Sequence, residues 1–267
     1  MEAGGRPNIL VSNDDGVHAP GLVVLADVLE SVGTVFVVAP DRERSAVGHA
    51  LTLHRPLRVE RLAPRRFAVN GTPTDCVNLG VLGMLPVRPD VVVAGVNAGS
   101  NLGDDVTYSG TVSAAMEGTL LGLPAVAVSL VDSGEASDYR RAAEVAAKLT
   151  RLLLRDAGSG ARLINVNVPR DRHRGVRLTR LGRRMYSEKV IEERDPRGKL
   201  YYWIGAGPPA WEEGGDTDFA AVHAGYVSVT PLDLDLTSYD GLRALESWKS
   251  DLDPSRPRPG GRRAPRS

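Results

Sequence analysis

The sequence predicts an α/β protein built on a Rossmann-like, mostly parallel sheet with helices on both faces. Three observations carry that expectation. Continuous apolar runs of strand length recur between residues 8 and 168, the pattern of strands buried on both faces. Stretches of helical period lie between them, which is the alternation of a parallel sheet. Several of the runs empty into turns rich in Gly, Asp and Asn, at the strand ends where open α/β sheets place their ligands.

Asn8–Ser12 is the first strand and runs straight into Asn13-Asp14-Asp15-Gly16. Pro20 suits the first position of a helix, which Leu22, Leu25, Ala26, Val28 and Leu29 continue until Gly33. Thr34–Ala39 is the second strand, so the order is that of a βαβ unit. The charged loop Pro40–Gly48 follows at the same edge. Residues 51–70 then alternate (Leu51, Leu53, Leu57, Val59, Phe67, Val69) as a short antiparallel hairpin. A helix carrying Val77, Leu79, Val81, Leu82 and Leu85 starts near Gly71-Thr72-Pro73, with Thr74 or Asp75 as its cap. Cys76, the single cysteine, packs near that start as a small apolar residue. It excludes an internal disulfide and a cysteine-based zinc site.

Asp90–Ala94 is the third strand and opens onto the Gly- and Asn-rich stretch from Gly95 to Asp105. After Tyr108-Ser109-Gly110-Thr111 come an Ala-rich helix (Val112–Leu121), the strand Pro124–Ser129, a long amphipathic helix (Ser137–Arg155) and the strand Leu163–Val168. Beyond Pro169 the character changes. Val176–Leu181, Leu200–Ile204 and Gly225–Thr230 read as hairpin strands between charged loops, a C-terminal β-hairpin extension. Tyr201, Tyr202, Trp203 and Trp211 concentrate there, as in a local core or a subunit interface. A short helix, Asp240–Trp248, precedes the Pro-, Gly- and Arg-rich stretch Asp253–Ser267, which reads as a disordered tail. The expected organisation is one domain over 1–250 (core 8–170, hairpin and terminal segment 171–250) followed by the tail, 251–267.

Lys+Arg and Asp+Glu total 33 each, so there is no global attraction to a nucleic-acid polymer or a membrane surface. Only 5% of residues are aromatic, which argues against an extended base-stacking groove. No segment has the length of a membrane span and residues 1–7 lack a signal-peptide core, so a cytoplasmic location is expected.

If the strands are parallel, three loops converge on one edge: Asp14/Asp15, Arg42 to Ser45, and Asn97 to Asn101. Neighbouring carboxylates repel, so they need a cation, a shared proton or full exposure to water. Taken alone, Asp-Asp-Gly is more plainly a solvated loop tip. The hydroxyl and amide of the other two loops shift the reading towards a hard divalent cation such as Mg²⁺ or Mn²⁺. The five histidines (18, 49, 54, 173, 223) are scattered and offer zinc no pair. Ser109-Gly110-Thr111, at a helix start, suits a phosphate held by backbone N–H groups and equally suits a plain cap; both readings stand. Neither GxxxxGK[ST] nor GxGxxG occurs, which disfavours a P-loop or dinucleotide site. An ion and a phosphate cradle at one edge predict phosphoryl chemistry.

At this point whole motifs resemble a known family. Ser12-Asn-Asp-Asp-Gly-Val-His-Ala-Pro-Gly21, Ala39-Pro-Asp-Arg-x-Arg-Ser45, Gly71-Thr-Pro-Thr-Asp-Cys76 and Gly95-Val-Asn-Ala-Gly-x-Asn-Leu-Gly103 are similar to those of SurE, the stationary-phase survival protein. So are Tyr108-Ser-Gly-Thr-Val112, Ala114-Ala-Met-Glu-Gly118, Asp195-Pro-Arg-Gly198, Thr217-Asp218 and Gly225-Tyr-Val-Ser-Val-Thr-Pro231, in order from about Asn8 to Trp248. The resemblance implies a metal-dependent nucleotidase acting on nucleoside 5'- and 3'-monophosphates and on short polyphosphate. Asp14, Asp15, Ser45 and Asn97 would hold one Mg²⁺ or Mn²⁺ per subunit, with Asp14 and Asp15 catalytic. Asn101, Ser109, Gly110 and Thr111 would hold the phosphate. A homodimer or homotetramer with exchanged C-terminal segments, including a short swapped helix, is also implied. Two other readings remain: a nucleotide-binding regulatory module that releases no phosphate, and a glycosyltransferase-like domain. The latter would want a second αβ lobe where residues 170–250 read as hairpins.

Overall fold

The computed structural model describes residues 5–132, 135–156, 160, 162–185, 190–204, 210–211 and 214–252; of the expected tail 251–267, Asp251 and Leu252 are helical and 253–267 lie outside the described residues. In chain order the elements are β1 (Asn8–Ser12), α1 (Pro20–Leu29), β2 (Thr34–Pro40), β3 (Val59–Ala63), β4 (Arg66–Val69), α2 (Pro73–Leu79), β5 (Val91–Ala98), α3 (Gly110–Leu120), β6 (Ala125–Leu130), α4 (Ala136–Arg155) and β7 (Leu163–Val168). Then follow β8 (Val176–Leu178), β9 (Arg184–Met185), β10 (Ile191–Arg194), β11 (Leu200–Trp203), β12 (Ala210–Trp211), α5 (Asp218–His223) and β13 (Val227–Leu232). Residues from Asp233 onward form a separate short unit with α6 (Tyr239–Leu245) and α7 (Lys249–Leu252).

The main sheet has the order β3-β4-β2-β1-β5-β6-β7-β13-β8. Strands β4, β2, β1, β5, β6 and β7 are parallel; β3 and β13 pair antiparallel at the two flanks, and β8 follows β13 in parallel. From β1 the chain steps one way to β2 and β4, and from β5 it steps the other way to β6 and β7. The junction of β1 and β5 is therefore the topological switch point, where the strand ends part and leave a crevice.

Helices α1 and α4 pack together on one face, α2 and α3 on the other. The connections through α3 and α4 step in the same direction across the sheet yet lie on opposite faces, so the two crossovers have opposite hand. On the first face Ile9, Val11, Val93, Val128 and Val166 meet Leu22, Leu25, Leu29 and Ala146, all fully buried. Each such aliphatic side chain contributes about 1.5–3 kcal/mol relative to exposure. On the second face α3 lies close because its inner residues are small. A Cβ on Gly118 would come within 2.6 Å of Val92.

Most predicted elements up to β7 appear with shifts of one to a few residues at their ends, but the hairpin expected over 51–70 begins only at Val59, leaving Leu51, Leu53 and Leu57 outside any strand, and α2 ends at Leu79, before Val81, Leu82 and Leu85. Two further differences have physical causes. Thr72, rather than Thr74 or Asp75, caps α2: its hydroxyl accepts from Asp75 N at 3.0 Å while the Asp75 carboxylate accepts from Thr72 N at 2.8 Å. Pro73 at the first helical position sets that start one turn-residue early. Of the segments read as hairpin strands, only β11 sits in a free hairpin, with β10; β8 and β13 extend the main sheet beside β7. Val227 and Val229 are buried there against the core, a gain that an isolated hairpin cannot offer.

Candidate active site

At the end of β1 the Asn13 side chain closes the acidic turn on itself. Its amide oxygen accepts from Gly16 N at 3.2 Å and its amide nitrogen donates to Gly16 O at 3.1 Å. Two backbone bonds bolt this turn to the loop after β2: Arg44 N to Asp14 O at 2.7 Å, and Val17 N to Pro40 O at 2.8 Å. A shift of register in β5 between Ala94 and Asn97, the mark of a bulge, delivers Asn97 beside the acids. Ala98 N approaches the Asp15 carboxylate at 3.4 Å.

The three loops do converge. Asp14, Asp15, Ser45, Asn97, Asn101 and Ser109 all line one cavity of about 580 Å³ above the switch point. Gly110 and Thr111 meet it through Asp14. The Thr111 hydroxyl donates to the Asp14 carboxylate, and a Cβ on Gly110 would stand 2.7 Å from the Asp14 Cβ. Glycine at that position is thus required by a close approach. Ser109 caps α3, its hydroxyl accepting from Val112 N at 3.1 Å, and still lines the cavity, so the two readings of this residue are compatible. The Ser45 hydroxyl donates to Glu43 at 2.7 Å, and the Asn97 amide nitrogen donates to Gly99 O at 2.8 Å.

Asn101 is held by a buried polar network from behind. Its N–H donates to Asn167, its amide nitrogen donates to Ser129, and its carbonyl accepts from both Asn165 and Asn167, at 2.8–2.9 Å. Most of these polar groups satisfy one another, and the buried amide oxygen of Asn165 is left without a partner among the described residues. Asn165 and Asn167, two apart in the otherwise apolar β7, were the signal available for it.

Burial pushes the Asp14 carboxyl above its usual range, a shift that the Thr111 hydroxyl partly offsets. Burial, followed by the charges of Asp14 and Glu43, pushes Asp15 up to about 6, against the Ala98 N–H. Paired acids that resist ionisation together are a site short of positive charge. Among the described residues no three His, Cys, Asp or Glu side chains group closely enough to hold an ion. The side chains that could hold an ion here are two carboxylates, an amide and a hydroxyl, whose oxygens are hard donors of the kind that suit Mg²⁺ or Mn²⁺.

Sequence reasoning missed four side chains that line this cavity: Glu43, Asp105, Tyr108 and Arg184. Arg184, from β9, is the single cation among the described lining residues and pairs with Asp105 at 2.7 and 2.8 Å. The loops that carry them are tied together by Asp218, fully buried, whose carboxylate accepts from Gly103 N and Gly182 N at 2.8 Å each. Nothing local in the sequence marks Arg184, because its partner lies nearly eighty residues away.

Residues 9–188 match the family model described as Survival protein SurE. The chain is 57% identical over 241 residues to the 5'-nucleotidase SurE of Syntrophotalea carbinolica, spanning 90% of this chain and 96% of that one. It is 57% identical over 256 residues to the 5'-nucleotidase SurE of Geobacter sulfurreducens, spanning 95% and 97% respectively. Among solved structures it is similar to the SurE protein from Aquifex aeolicus, with a TM-score of 0.80, 42% identity, and coverage of 91% of this chain and all of that one.

Proposed function

The chain belongs to the SurE family, and from that premise we propose that it is a 5'-nucleotidase whose reaction takes place in the cavity above β1 and β5. Its substrates are nucleoside 5'-monophosphates, with 3'-monophosphates and short polyphosphate as further substrates, and its products are the nucleoside and inorganic phosphate. The observation that carries this reading is the meeting of Asp14 and Asp15 with Ser45 and Asn97 at the switch point of the sheet.

Asp14, Asp15, Ser45 and Asn97 would hold one Mg²⁺ or Mn²⁺ per subunit. Such an ion supplies charge neutralisation at the phosphoryl oxygens and lowers the pKa of water. Asn101, Ser109 and the N–H groups of Gly110 and Thr111 at the start of α3 orient the phosphate, helped by the helix dipole. Water attacks phosphorus in line with the leaving ribose oxygen; the phosphorus–ribose oxygen bond breaks, Asp14 takes the proton of the attacking water, and the leaving oxygen takes a proton from solvent as the nucleoside departs. In the competing route the Asp14 carboxylate itself attacks phosphorus and is later freed by water. An acid-quenched single turnover with phosphate-labelled substrate separates them: direct attack leaves the protein unlabelled, and label recovered on Asp14 establishes the covalent route.

Release of phosphate from AMP in the presence of Mn²⁺, abolished by a chelator, is the expected result of the primary assay. Binding of AMP without release would identify a regulatory module instead. A panel of 5'- and 3'-monophosphates and tripolyphosphate then tests the finer range.

No helix among the described residues is long and apolar enough to cross a membrane. We place the enzyme in the cytoplasm, as a homodimer or homotetramer. The β10–β11 hairpin exposes Tyr202, Trp203 and Ile204, and the terminal unit exposes Leu236, Leu242 and Trp248; these would be the segments that subunits exchange.

A further inference from the structure

A second cavity, of about 560 Å³, opens on the same edge of the sheet, beside the ends of β5, β6 and β7. It shares two wall residues with the acidic cavity: Asp105 and Arg184 line both. Its size lies within the range of about 300–1,000 Å³ common for small-molecule sites. Its far wall is aromatic. Trp211 stacks on Phe219 with ring centroids 4.7 Å apart, and Phe219 on His223 at 5.9 Å. The proposed reaction uses none of these rings.

We propose that this second cavity receives the nucleoside of the substrate. The base lies against the Trp211–Phe219 wall, and the phosphate reaches past the Asp105–Arg184 pair into the acidic cavity. The inference rests on the nucleotidase reading and adds to it the place where the non-reacting part of the substrate is recognised. Aromatic faces suit any base, since every base has a π-face to offer. The charges decide against the other elongated substrate, a polyphosphate chain. Arg170, Arg172 and Arg184 on the lining are matched by Asp105, Asp132 and Asp171, so the cavity presents no net positive field to a polyanion. Mixed charges of both signs are instead what the donor and acceptor edges of a base and the ribose hydroxyls can use.

The test compares AMP with ribose 5-phosphate, which carries the same ester without a base, on the full chain with Mn²⁺. Trp211→Ala is expected to lower the ratio of kcat/KM for AMP over ribose 5-phosphate about tenfold, through KM. Trp211→Phe should restore the ratio. Trp211 also packs beside Gly103, so Val222→Trp, which fills the cavity from α5, serves as an independent variant with the same expected effect. A ratio that stays at the wild-type value in both variants overturns the proposal. So does a raised KM for tripolyphosphate in Arg172→Ala with the nucleotide ratio unmoved by Trp211→Ala. If the wild-type chain frees phosphate from neither ester with any divalent metal, the nucleotidase reading fails by itself. Calorimetric titration with adenosine then still decides: binding lost in Trp211→Ala supports the nucleoside cavity, whereas no binding to the wild type, or equal binding to both, removes it.

Discussion

The acidic edge above β1 and β5 and the β10–β11 hairpin depart from the usual layout of a folded chain in opposite senses. At the edge, carboxylates and amides are buried: Asp14 is 6% exposed, Asn13 and Asn167 not at all. On the hairpin, every described residue of both strands is exposed, Trp203 to 61%. Buried acids cost free energy unless a partner supplies the missing charge. Exposed aromatics cost it unless a partner covers them, and a lone two-stranded hairpin is marginal in water. Each region therefore points to the chemistry of a partner that would offset its cost. On the proposed function the edge receives a hard cation and a phosphate, and we propose that the hairpin packs against a second copy of this chain.

The comparison breaks most visibly at Asp15. Asp15→Asn should reduce phosphate release from AMP at least about a hundredfold, by removing one charged donor from the ion set. The same change relieves repulsion with Asp14, so thermal melting of the metal-free variant should be unchanged or higher. Near-normal turnover would take the edge out of the argument. At the hairpin, Trp203→Glu puts a charge where a neighbour is expected. Light scattering should show the mass falling from a multiple of the chain to a single chain, while circular dichroism stays that of the wild type. An unchanged mass would mean that the exposed aromatics serve something else.

Gly110→Ala sharpens the contrast from inside. The new methyl meets Asp14 at 2.7 Å, backed by α3, and has nowhere to go. It should cost about 1–3 kcal/mol by overpacking and lower turnover roughly ten- to a hundredfold through displacement of Asp14. An equivalent Ala at Gly198, in the turn of the hairpin, meets nothing within 4 Å but sits at φ +79°, so it should lower the melting temperature through backbone strain while leaving phosphate release from AMP unchanged.

The smallest effect is one of pH. Asp15 titrates near 6 in the folded chain and near 4 in an unfolded one, so the folded state holds its proton more tightly. The metal-free chain therefore has this contribution in full below about pH 4 and loses it as pH rises through 6. Melting of the chelator-treated protein should come at a higher temperature at pH 5.5 than at 7.5, and Asp15→Asn should flatten that slope. Mn²⁺ should raise the melting temperature more at pH 7.5 than at 5.5, since protons and the ion compete for the same carboxylates.

Much of this was legible in the residues. The strands β1, β2, β5, β6 and β7 announce themselves as apolar runs, and the alternation with helices implies parallel pairing. Parallel pairing in turn brings Asp14, Asp15, Ser45, Asn97, Asn101 and Ser109 to one edge. Less visible was how they are held. Thr72 rather than its neighbours caps α2 because Pro73 fixes the helix start. Thr111 reads locally as a phosphate ligand or a cap, and it is its position against β1 that turns its hydroxyl to Asp14.

What the sequence determined by itself is whatever depends on spacing within about one element: periodicity, turn chemistry, the adjacency of two acids, the aromatic run at residues 201–203. What only the tertiary structure decided depends on partners far along the chain. The placing of β13 between β7 and β8, the Asp105–Arg184 pair and the second cavity behind it are of that kind. A strand carries its pattern of inward and outward residues in its own sequence, but which edge it joins is settled by the burial available there. The same holds for Arg184. Its charge is a local fact, and its place between two cavities follows from Asp218 gathering the loops around Gly103 and Gly182.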